Sequence, residues 1–81
     1  MEIEFIATYR NIELKLTATD DEMGLIVNKL MDGFNHILCV SNETGEILLD
    51  WYVAEDYFVQ TVSPFKLFYV FKKIYQIDFK E

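Results

Sequence analysis

Ile3-Glu4-Phe5-Ile6-Ala7-Thr8-Tyr9-Arg10-Asn11-Ile12-Glu13-Leu14-Lys15-Leu16-Thr17-Ala18 is the stretch whose reading decides the fold. Ile3, Phe5, Ala7 and Tyr9 fall on one face and Glu2, Glu4, Ile6 and Thr8 on the other. Ile12, Leu14, Leu16 and Ala18 alternate in the same way with Glu13, Lys15 and Thr17. A period of two belongs to strands with one face toward a core. With Arg10-Asn11 as a two-residue turn, Tyr9 pairs with Ile12, Ala7 with Leu14, Phe5 with Leu16 and Ile3 with Ala18. A one-residue slip would turn the whole apolar set to water, so the register is well specified.

Thr19-Asp20-Asp21-Glu22 follows with the spacing of a capping box. In that motif Thr19 accepts from the backbone N–H of Glu22, and the Glu22 side chain reaches back. A helix is expected from this point, with Met23, Ile26, Val27, Leu30, Met31 and Phe34 at helical spacing and Asp32-Gly33 as its stop. Residues 36–41 and 46–53 are β-prone runs around Asn42-Glu43-Thr44-Gly45, a turn in which Gly45 takes the left-handed conformation. The register of that hairpin puts Ile37, Cys39, Ile47, Leu49, Trp51 and Val53 on an apolar face. His36, Leu38, Val40, Leu48, Asp50 and Tyr52 then share a mixed face.

Residues 57–62 fit either a short strand or an irregular crossing, since six residues do not separate the two. Ser63-Pro64 opens a second helix with an N-cap and a first-turn proline, and Leu67, Phe68, Phe71, Ile74 and Tyr75 form its apolar stripe. The order ββαββα predicts an α+β fold, an antiparallel sheet packed with two helices, as a single domain over residues 1–81. The chain has 81 residues, 52% of them hydrophobic, which suits one core and not two.

Cys39 is the only cysteine, so no intramolecular disulfide forms. The start Met1-Glu2-Ile3-Glu4 lacks the basic and apolar regions of a signal peptide, and no apolar run approaches a membrane span. A cytoplasmic protein without membrane contact is expected. Fourteen acidic and seven basic residues give a net charge of −7, a sign that repels phosphate backbones and disfavours direct nucleic-acid binding. The charge is uneven, with twelve acids and three bases up to Phe65, and four lysines and two acids from Lys66 onward.

Residues that carry chemistry do not converge. His36 and Cys39 are three apart in one strand and point to opposite faces, which disfavours both a nucleophile–base pair and shared metal ligation. Helix capping accounts for Asp20, Asp21 and Glu22 without a metal ion. Gly24, Gly33 and Gly45 lie in unrelated elements and make no phosphate loop. No catalytic residue, metal site or cofactor is therefore expected, and the chain reads as a non-enzyme.

The informative feature is the mixed face of the second hairpin. Leu38, Val40, Leu48 and Tyr52 are apolar where a one-layer sheet would meet water, and Glu43, Glu46, Asp50, Glu55 and Asp56 rim them. Either the second helix or a dimer mate covers these residues, or they form a protein-binding site. The site reading gives an acidic binding module for a basic protein, a nucleic-acid-handling enzyme whose substrate charge it imitates. Inhibitors of phage or mobile-element origin, immunity proteins and antitoxins share that physical profile. The alternative is a homo-oligomeric structural or regulatory module in which the same four residues pair across a dimer axis. A small-ligand sensor or enzyme is the lesser alternative and requires a concave pocket with converging polar groups.

Overall fold

A computed structural model describes residues 1–81. In chain order it contains strands β1 (Glu2–Tyr9) and β2 (Ile12–Thr19), helix α1 (Met23–Leu30), strands β3 (His36–Ser41) and β4 (Ile47–Tyr52), helix α2 (Pro64–Lys72) and strand β5 (Ile77–Lys80). The strands form one antiparallel sheet in the order β4-β3-β1-β2-β5, and both helices pack on the same face of it. The expected α+β order ββαββα is present. The fifth strand comes after it and pairs with β2.

The first hairpin has the register that alternation dictates, with Tyr9 opposite Ile12, Ala7 opposite Leu14, Phe5 opposite Leu16 and Ile3 opposite Ala18. Arg10 takes the left-handed backbone conformation the tight turn requires, at φ 55°. Its guanidinium lies over the Tyr9 ring and pairs with Glu55, which fastens the turn to the segment after β4. Ile3, Phe5, Ala7, Leu14 and Leu16 meet Ile26 and Leu30 of α1, Leu67 and Phe71 of α2, and Phe34 in a single buried cluster. Each large side chain so buried contributes about 1.5–3 kcal/mol, and the aligned registers let all of them contribute together.

The amino-terminal cap differs from the expected capping box. Asp20–Glu22 form a 3-10 turn before α1, and Thr19 accepts no bond from a backbone N–H. The Thr19 hydroxyl instead donates to the Asp21 carboxylate, with Glu22 Oε1 3.4 Å away, and this bond lowers the Asp21 carboxyl from its ordinary value. Glu22 is occupied elsewhere, accepting from the Tyr75 hydroxyl in the turn between α2 and β5. That bond pushes the Tyr75 phenol up to about 12.

Helix α1 ends at Leu30, so Met31 and Phe34 lie beyond it, and Gly33 turns without a positive φ. The cap of α2 is made as expected: the Ser63 hydroxyl accepts from the N–H groups of Phe65 and Lys66, and Pro64 occupies the first turn. In its stripe Leu67 and Phe71 are buried, while Ile74 falls past the helix end and is exposed. Residues 57–62 contain no strand. Glu55–Tyr57 make a 3-10 turn, and the segment then crosses to the helix layer, where Thr61 and Val62 donate to the Asp32 carbonyl.

The second hairpin turns at Gly45, left-handed at φ 76° as expected. Ile37 pairs with Trp51 and Cys39 with Leu49, but the register shifts between Cys39 and Val40, and Val40 then pairs with Ile47. Such a bulge sets two residues of one strand against one of its neighbour. It reverses the expected facing of two residues. Leu48 packs against the core, and Ile47 takes the outer face beside Val40. Trp51 faces the core side with Phe5 and Leu16, but on an edge strand it is only half-buried.

Candidate functional site

The site is the face of the sheet turned away from both helices. Strand registers order its side chains in three rows. The first runs Tyr52, His36, Thr8, Glu13, Lys80; the second Asp50, Leu38, Ile6, Lys15, Asp78; the third Ile47, Val40, Glu4, Thr17. Ile6, Leu38, Val40, Ile47 and Tyr52 therefore form one apolar patch across β4, β3 and β1. Helix α2 does not cover it, because Leu67 and Phe71 tie that helix to the opposite face. Ile47 is 59% exposed and Tyr52 64%, while Ile6, Leu38 and Val40 are half-buried by their neighbours.

Charge surrounds the patch unevenly. Glu2, Glu4, Glu13, Asp50 and Asp78 lie on this face against Lys15 and Lys80. The Lys15 amine is 3.7 Å from Glu13, and Glu4, on the central strand, has no ion-pair or hydrogen-bond partner for its carboxylate. The His36 Nε2 lies 2.7 Å from Asp50 Oδ1, and Tyr52 meets the His36 ring edge-on. Toward β5 the face opens into a groove of about 690 Å³ lined by Glu2, Glu4, Lys15, Thr17, Gln76 and Asp78, where β5 has diverged from the last residues of β2.

Of the residues named from sequence, Leu38, Val40, Tyr52 and Asp50 share this face. Leu48 does not, since the bulge turns it to the core side. Glu43 and Glu46 are exposed at the β3–β4 turn, and Ser41 ties that turn down through its hydroxyl, which accepts from Glu43 and Thr44. Glu55 is engaged by Arg10, and Asp56 is exposed in the turn after β4. Sequence reading missed Ile47, because a bulge has no period to announce it. Tyr57 and Val59 are also exposed apolar residues, but they lie outside the strands, in the segment between β4 and α2.

Cys39 is fully buried in the core, and burial pushes its thiol up to about 11. Nowhere do three His, Cys, Asp or Glu residues gather in an arrangement that would hold a metal ion, and no helix is long and apolar enough to cross a membrane. Comparison with protein-family models, with curated proteins and with solved structures finds no match for this chain.

Proposed function

We propose that this chain is a non-enzymatic binding domain that takes a basic protein on the uncovered face of its sheet. One observation carries the reading: five apolar side chains share a face of the sheet that no helix covers, and carboxylates outnumber amines around them. An apolar patch with a polar rim is the anatomy of a protein interface, in which desolvated anchors hold the complex and the rim steers encounter. The net −9 of the first 65 residues sets the sign of the partner. A protein that handles nucleic acid presents a basic groove of that kind, and this domain would occupy it by imitating phosphate charge.

Affinity capture from the native host with the wild-type domain and with Val40→Asp tests the reading. The patch variant should lose a basic protein that the wild type retains. Retention of the same protein by both, or capture of nucleic acid in place of protein, would overturn it.

A further inference from the structure

The second exposed apolar surface is the outward side of α2. Tyr69 and Val70 are at least 40% exposed there, and Phe65, 43% exposed, lies at the start of the helix with its ring against Phe79 of β5. The charged side chains from Lys66 to Lys73 are of one sign. Lys66, Lys72 and Lys73 are exposed and none makes an ion pair, although the Lys72 amine lies 4.3 Å from the centre of the Tyr69 ring. A chain of net −7 thus presents one basic, apolar helix face, and its complement must be acidic and apolar. Phosphate backbones and anionic bilayers fit poorly, because the remainder of the molecule repels them.

An acidic, apolar complement exists on the same molecule. The outer face of the sheet has an apolar centre and a carboxylate rim, and it points away from the layer that contains α2. The two surfaces cannot meet within one chain. We propose that they meet between chains: the α2 face of one copy docks on the outer sheet face of the next, in a head-to-tail contact. This rests on the reading that the outer face accepts basic, apolar surfaces, and it makes self-association a competitor of the partner for that face. A contact between two different patches leaves one of each free at the ends, so the assembly grows beyond a dimer unless it closes into a ring.

Size-exclusion chromatography with light scattering tests this on the intact chain, loaded at about 1 μM to about 1 mM, the range in which a contact of weak to moderate affinity responds. The wild type should rise with concentration from the 9.6 kDa monomer through dimer to larger species. Ile47→Lys breaks only the sheet face and Tyr69→Glu only the helix face, and both positions are more than half exposed, so the fold should persist by circular dichroism. Each variant alone should remain monomeric at every concentration. Their equimolar mixture should form a dimer that grows no further, since the one intact helix face has one intact sheet face to occupy.

A wild type that stays monomeric throughout would overturn the proposal. So would a mixture that stays monomeric while the wild type associates, because the intact helix face and the intact sheet face then fail to pair. So would either variant that associates by itself as the wild type does, because that result marks a symmetric contact through one face. None of these outcomes touches the binding of a basic partner, which capture measures separately.

Discussion

Gly33 and Leu67 approach so closely that a side chain has no room between them: a Cβ on Gly33 would stand 2.6 Å from Leu67 Cδ1 and 2.7 Å from the Val62 carbonyl oxygen. The leucine is buried at the start of α2 and the carbonyl belongs to the backbone, so neither yields easily. Gly33→Ala should therefore lower stability by about 1–3 kcal/mol, the cost of an overpacked site. At Gly24, in α1, an added Cβ would meet nothing within 4 Å, and Gly24→Ala should raise stability by about 0.5–1 kcal/mol by restricting the unfolded chain. Opposite shifts of the two urea midpoints check both.

The two helix starts should respond differently to loss of a hydroxyl. Ser63 accepts from two backbone N–H groups, and Ser63→Ala should cost about 0.5–2 kcal/mol. Thr19 caps no backbone group and is exposed, so Thr19→Ala should stay within about 0.5 kcal/mol of the wild type. Equal losses in thermal unfolding would show that Thr19 caps α1 in solution.

Cys39 should be inert in the folded chain. Burial holds its proton up to about 11, and the thiolate is the reactive form. Alkylation at neutral pH should proceed only as fast as the protein opens, and urea should accelerate it. The folded state binds this proton more tightly than the unfolded state does. Its contribution to stability is therefore complete below the ordinary thiol range and is lost as pH rises through about 11. Unfolding midpoints measured across that window should fall with rising pH, and Cys39→Ala should remove this part of the fall.

Much of this architecture was legible because period-two patterns extend over whole strands. In the first hairpin eight residues on each side carry the same message, and the turn allows one register. Ser63-Pro64 was legible for a different reason, since its geometry is local and complete in four residues. The capping box at Thr19 misled because Glu22 has a better use, the Tyr75 hydroxyl 53 positions away, which no local pattern contains. Leu48 and Ile47 exchanged faces for a similar reason, because a bulge adds a residue without changing composition. Strand β5 is four residues long and is held by its pairing with β2, so only tertiary contact identifies it. Leu38, Tyr52 and Asp50 lie in the regular part of the β3–β4 pairing and were readable for that reason, and Val40 was readable because β3 alternates without interruption up to Ser41.

The patch and its rim should act at different stages of binding. Charges at the β3–β4 turn are exposed and make no ion pair within the chain, so they act by long-range attraction before contact. Replacing Glu43 and Glu46 by lysine should slow association with the captured protein about tenfold or more at low salt and flatten its salt dependence, with little change in dissociation. Tyr52 and Ile47 protrude from the patch and lose water only on docking. Tyr52→Ala should therefore speed dissociation, with a loss of about 2 kcal/mol or more if the ring is an anchor, and should leave association nearly unchanged. Leu48, turned to the core side, supplies the control: Leu48→Ala should lower stability while the rates of the folded fraction stay those of the wild type. Surface plasmon resonance at two salt concentrations separates the three effects, and a Tyr52 variant that dissociates as slowly as the wild type would remove this face from the interface.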